Sequence, residues 1–135
     1  MTVSLNQDLL FKMRVHPTQP HLFATGGDER ELCVWDITKF IPSETSTMLP
    51  VLKPIWTAKN VPHTPLDMRV PVWITDIQWL PETQTVEGIV KHTTCLVSGT
   101  GYHHIRSYNT NQKKPLYAFE SGEHPIKSIA TTNNW

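Results

Sequence analysis

The sequence predicts an all-β chain built of four-stranded antiparallel sheets, and three features predict it. Short apolar runs bounded by Gly, Pro and polar clusters follow one another between residues 9 and 120, the pattern of strands joined by turns. No segment sustains a 3.6-residue apolar period, and the eleven prolines are spread too widely for long helices. One string also recurs in weaker form: Thr25-Gly26-Gly27-Asp28-Glu29-Arg30-Glu31-Leu32-Cys33-Val34-Trp35-Asp36 is echoed by Ser98-Gly99-Thr100-Gly101, running through His104-Ile105-Arg106-Ser107 to Tyr108-Asn109. Trp35 and Tyr108 thus hold equivalent places 73 residues apart.

Taken in order, the runs 9–15, 22–26, 31–37 and 54–59 make one sheet. His16-Pro17-Thr18-Gln19-Pro20 is its first turn, because two prolines fix φ and cannot feed a central ladder. The runs 73–80, 94–99, 103–108 and 115–120 make a second sheet, and 125–132 opens a third. Residues 74–80 alternate without a purely apolar face, which suits a sheet packed on both sides. Such a sheet cannot cover its own faces, so its neighbours must. The expected architecture is a partial β-propeller of two blades plus one strand, and complete rings have about four to eight blades. Residues 1–135 are therefore expected to be a fragment of one longer propeller; the alternative is a chain that closes its ring by oligomerising.

The Gly-Gly-Asp turn followed by an apolar strand ending in Trp-Asp is the signature of a WD-repeat blade. These blades recur at roughly 40 to 45 residues, so the longer step requires insertions, for which 38–53, 61–72 and 82–92 are the candidates. Thr25, Asp28 and Trp35 match positions at which WD-repeat proteins place a Ser/Thr, a turn Asp and a Trp in a structural hydrogen-bond network, and all three are expected to be buried. Ser98 and Tyr108 are the counterparts in the second blade (73–120). With Gly101 in place of the Asp and Tyr108-Asn109 in place of Trp-Asp, that network is expected to be incomplete. The histidine that such repeats carry ahead of the first strand is not recognisable in either full blade, and His124 offers one for the third.

Composition narrows the function classes. Twelve basic and twelve acidic residues cancel, so no long-range field steers the chain onto RNA or an anionic membrane, and any nucleic-acid contact must be local. No apolar run is long enough to span a bilayer, and the first residues lack the form of a signal peptide. Cys33 and Cys95 sit in strand-like runs without Cys-x-x-Cys spacing and are expected to be reduced core thiols. His16, His21, His63, His92 and His124 are scattered over separate turns with no short ligand spacing, and adjacent His103 and His104 should point to opposite faces of a strand, so no metal site and no cofactor are expected. Nothing resembles a nucleophile with its base or a phosphate-cradling glycine loop, which argues against an enzyme.

A more particular resemblance lies in Lys59-Asn60-Val61, in Leu66-Asp67-Met68-Arg69-Val70-Pro71-Val72-Trp73, in Asp76-Ile77, and in Thr100-Gly101-Tyr102-His103 with Ile105-Arg106-Ser107-Tyr108. These strings resemble the family of WD repeat-containing protein 74 and its fungal counterparts, over residues 26 to about 135. The resemblance implies a non-catalytic scaffold of the nucleolus and nucleus. It would act in assembly of early pre-60S large-subunit particles and pre-rRNA processing, with other assembly factors as partners and a AAA-type ATPase for release. The alternative is a generic WD-repeat adaptor that grips a peptide of another complex, since fold does not fix function.

The distinctive connector is compatible with binding. Pro62, Pro65 and Pro71 stiffen it and lower the entropy lost when a partner orders it. Asp67 and Arg69 could pair with each other or with backbone, and Arg69 could equally pin the connector to a blade or offer its planar fork to a carboxylate or phosphate. Tyr102 with Arg106, or Lys113-Lys114, could meet bases or phosphates; a solvated turn is the plainer alternative. Of five tryptophans, most should pack blade against blade, with one or two at the rim. The expected interaction residues are Asp67, Arg69, Trp73, Tyr102, His103 and Arg106, on a surface shared by 66–73 and the turn 101–106.

Overall fold

The computed structural model describes residues 10–39, 53–80, 83–86, 89–92 and 94–131. Most of the insertion expected at 38–53, the ends of the expected strands at residues 9 and 132, and Trp135 lie outside the described residues. The first sheet is β1 (Leu10–Val15), β2 (Leu22–Gly27), β3 (Arg30–Asp36) and β4 (Trp56–Thr57), antiparallel and adjacent in that order. Although β4 is short, Ile55 N–H bonds Val34 O and Ala58 N–H bonds Leu32 O, so its pairing runs past both ends. The second sheet begins with β5 (Ile74–Leu80). A separate hairpin, β6 (Thr83–Val86) with β7 (Ile89–His92), fills the insertion expected at 82–92. β8 (Cys95–Thr100), β9 (His104–Asn109) and β10 (Tyr117–Glu120) complete the sheet in the order β5-β8-β9-β10.

Each blade thus carries the expected four strands, with bounds moved by a residue or two at most ends. Asp36 ends β3: its carboxylate accepts from the Thr38 N–H at 2.9 Å and the Thr38 hydroxyl at 2.6 Å, which turns the chain into one 3₁₀ turn, Ile37–Lys39.

The expected opening strand of a third blade has no ladder partner among the described residues. Residues 125–131 instead cross the second sheet on side-chain hydrogen bonds from β5. The Thr75 hydroxyl donates to Ile126 O, Gln78 Nε2 donates to Ile129 O at 3.0 Å, and the Ile129 N–H donates to Asp76 Oδ2 at 2.6 Å. A side chain at Gly99 would collide with Ile126, so this crossing requires glycine there.

The core lies between the blades, where β5 packs on β1, β2 and β3. Ile74, Ile77, Trp79, Leu96 and Tyr108 meet Ala24, Leu32, Val34 and Trp56, all buried. At Gly26 an added Cβ would come within 2.7 Å of Ile74, so the packing of β5 on β2 at this point depends on the missing side chain. Indole N–H groups tie the blades as the rings fill them: Trp79 donates to Arg14 O and Trp56 to Gln112 O, both at 3.1 Å.

Asp76, 2 % exposed, is the polar centre of this junction. It accepts from Arg14 at 3.1 Å, from Ile77 N–H at 2.9 Å and from Ile129 N–H, with Lys12 Nζ 3.5 Å away. One carboxylate therefore holds the first blade, the second blade and the crossing segment. Burial pushes this carboxyl up, but the two backbone N–H bonds, the Arg14 bond and the Lys12 charge outweigh it and hold the group below the usual range.

Candidate interaction surface

The connector from β4 to β5 forms a small loop with a tied neck. Asn60 Nδ2 donates to Val70 O at 2.6 Å, while its Oδ1 accepts from the Val61 N–H at 2.9 Å and from Arg106 Nη1 at 3.1 Å. At the tip, Asp67 N–H bonds Thr64 O and Thr64 N–H bonds Met68 O. Asp67 sits at φ 56°, a left-handed conformation that Asp tolerates better than most residues. Its carboxylate meets His63 Nδ1 at 3.0 Å rather than Arg69. Arg69 Nη1 reaches across to Glu29 Oε2 of the first blade's turn at 2.6 Å. Of the alternatives left open by the sequence, Arg69 acts as the pin between connector and blade, and its charged form is favoured first by that hydrogen bond.

Beyond the loop, the chain joins both turns. Glu29 N–H donates to Val72 O at 2.7 Å and Gly101 N–H to Trp73 O at 2.9 Å. A Cβ at Gly101 would collide with the Trp73 ring, so the residue that replaces the expected turn Asp is the one that lets this indole lie flat on the turn. Trp73 is half-buried and stands edge-on to Tyr102, with centroids 6.0 Å apart.

The structure therefore brings 66–73 and the turn 101–104 together around a groove of about 430 Å³, between Met68–Pro71 and Tyr102–His104. Met68 in its lining is 61 % exposed, and Leu66, two residues earlier, is 82 % exposed. Arg106 does not share this exposure: it is 2 % exposed, and its Nη1 donates to Asn60 Oδ1 at 3.1 Å. Period-two alternation explains this burial, since Arg106 pairs with Ser98 on the face that also carries the core residues Leu96 and Tyr108.

The structural network is equally uneven. Trp35 Nε1 donates to Thr25 Oγ1 at 2.8 Å, with both residues buried. Asp28 is exposed, contrary to expectation, and its turn is held through the backbone by bridging to Trp73. In the second blade Ser98 and Tyr108 are buried in the matching register, yet neither hydroxyl has a hydrogen bond of good geometry, although Arg106 and Ser98 lie close to the phenol. Burial pushes the Tyr108 phenol up. Nearby, burial also raises the Glu31 carboxyl, against the charges of Arg106 and Arg69.

His103 and His104 do not alternate as a regular strand requires. His103 precedes β9 at φ 57°, and the two rings stack with centroids 5.4 Å apart. With Glu120 they place ligand-type atoms within 4.8 Å of one another, a grouping that the strand rule missed. Ordinary pairings account for it: His103 Nδ1 bonds Gly122 O at 2.8 Å and His104 Nε2 lies 3.6 Å from Glu120.

Over 123 residues, 90 % of the chain, the sequence is 41 % identical to WD repeat-containing protein 74 of Bos taurus and 38 % identical to that of Homo sapiens. It is 32 % identical over 114 residues to ribosome biogenesis protein NSA1 of Meyerozyma guilliermondii. The family it resembles is that of WD repeat-containing protein 74 and its fungal counterparts. The chain spans about a quarter (26 %) of the length of these curated relatives. No protein-family model matches it. The likeness covers the connector, the groove and both blades, so the surface built from 60–73 and 101–104 lies within the part shared with these WD-repeat proteins.

Proposed function

We propose that this chain forms part of a non-catalytic WD-repeat scaffold that acts in assembly of the large ribosomal subunit. The observation that carries the reading is the 41 % identity over nine-tenths of the chain to a WD repeat-containing protein 74, alongside relatives named as ribosome biogenesis proteins. Residues 1–135 would be two blades and the start of a third within a single propeller. Its partners would be other assembly factors of early pre-60S particles, with local pre-rRNA contact, release by a AAA-type ATPase, and residence in the nucleolus and nucleus. A generic peptide-gripping adaptor is the less favoured alternative, because the fungal relatives are named as ribosome biogenesis proteins.

The groove is the proposed docking face. Binding residues concentrate on connections held by a rigid scaffold, and this connector is tied at its neck by Asn60 and at its flank by Arg69. The partner would meet Met68 and Tyr102, both exposed, with Trp73 edge-on to Tyr102 and His103 held by Gly122 O. Co-sedimentation of the protein with large-subunit precursors on a sucrose gradient tests the reading. Wild-type protein is expected in those fractions, and Met68→Asp, a change at an exposed position, is expected to leave them without loss of thermal stability. A wild-type protein that stays at the top of the gradient would sink the assembly role.

A further inference from the structure

A second pocket, of about 380 Å³, lies along the connector, and among the described residues its lining holds Lys59, Arg69 and Lys114 with no acidic side chain, while His63 in the same lining is paired with Asp67 at 3.0 Å. This is unexpected in a chain whose formal charges cancel. The pocket is pre-formed, because Lys59 N–H bonds Lys113 O at 2.8 Å and Trp56 Nε1 bonds Gln112 O, which fix the 110–114 turn of the second blade against the end of the first. Pro62 stiffens one wall. Lys59 and Lys114 are exposed, and among the described residues neither ammonium has an ion-pair partner. Arg69 gives one nitrogen to Glu29 and keeps the rest of its guanidinium.

We infer that this pocket binds a phosphate of an RNA backbone. The inference rests on the assembly reading and names one kind of contact within it. A phosphodiester brings negative charge and acceptors only, which the ammonium and guanidinium donors here satisfy. The one side-chain amide in the lining is spent: Asn60 Oδ1 already accepts two hydrogen bonds and its Nδ2 is given to Val70 O. Among the described residues, no uncommitted side-chain amide or carboxylate lines the pocket to accept from a base or a peptide N–H, so its side chains offer mainly positive charge and donors. A backbone phosphate fits that profile. The contact positions an RNA strand along the seam between the blades.

The test uses purified protein and a fluorescently labelled single-stranded oligouridylate, with anisotropy read across a salt series. Lys59→Gln and Lys114→Gln are each expected to weaken binding about three- to tenfold and to lower the slope of log affinity on log salt by about 0.7, the value for one phosphate contact on a single strand. Lys127→Gln, an equal charge loss at an exposed site on the crossing segment, is expected to change neither. Unchanged affinity in both pocket variants, or an equal loss in the Lys127 variant, overturns the inference. So does a labelled poly-glutamate peptide that binds the wild type in a Lys59- and Lys114-dependent way while the oligouridylate does not. Gradient sedimentation of the same proteins separates the two ideas. If the wild type enters large-subunit precursors but RNA affinity ignores Lys59 and Lys114, only the phosphate pocket fails; if it never enters them, the assembly reading fails as well.

Discussion

The two blades share one register and solve its polar problem differently. In the first, the Trp35 indole N–H and the Thr25 hydroxyl satisfy each other inside the blade at 2.8 Å. In the second, Tyr108 and Ser98 stand in the same places without such a bond, and Arg106 occupies the position that Cys33 holds in the first. Arg106 turns its guanidinium outward from the blade to Asn60, the residue that ties the connector's neck. The first blade is therefore closed on itself, whereas the second is coupled to the loop that forms the candidate surface. A blade can lose its internal network when a buried charge finds its partner in a neighbouring segment.

The sharpest way to break this contrast is Trp35→Ala, expected to cost about 3 to 5 kcal/mol, the usual penalty for emptying a large core site. Thermal or urea unfolding reads it. A variant that melts like the parent would mean that the first blade is not held by this ring.

Asp76→Asn comes next, because it leaves Arg14 and Lys12 without their buried counter-charge; about 2 to 4 kcal/mol is expected near neutral pH. The sign of its pH dependence follows from the depressed carboxyl. The folded state holds this proton less tightly than the unfolded state, so the contribution is fully present above the unfolded value near 3.8 and is lost as pH falls through the lower folded value. Stability measured from pH 6 down to pH 2 should fall less steeply in the Asn variant than in the parent. Parallel curves would assign the acid loss to other groups.

The finest comparison pairs Trp35→Phe with Tyr108→Phe. The first leaves the Thr25 hydroxyl buried without its donor and is expected to cost about 1 to 3 kcal/mol, whereas the second removes a buried hydroxyl that has no well-formed bond and should cost under about 1 kcal/mol. Equal losses would show that the second blade keeps an internal network after all.

The strands were legible in the sequence because their signals are local. Prolines at 17 and 20 fix a turn, Gly26-Gly27-Asp28 marks another, and apolar runs between such signals are strands wherever they pack. The Thr25–Trp35 pair was legible for the same reason, since ten residues and one turn separate its members. Asp28 was misplaced because burial of a turn residue depends on what the neighbouring segment brings, and here Val72 and Trp73 meet the turn through backbone. The strands of the hairpin at β6 and β7 were not legible in the insertion expected at 82–92, because their polar residues carry no apolar alternation.

Sequence alone thus determined the all-β class, the two blades, their register and the family that the chain resembles, because periodicity, turn chemistry and motif spacing are properties of short stretches. Tertiary structure alone decided which charges face outward and which are internal. Arg69 and Arg106 are alike in sequence, yet one pins a loop at the surface to Glu29 while the other is buried against Asn60. It also gathered Lys59, Arg69 and Lys114 from three places in the chain around one pocket. The physical reason is that a side chain's role is set by the dielectric and the partners around it, and those come from segments far away in sequence.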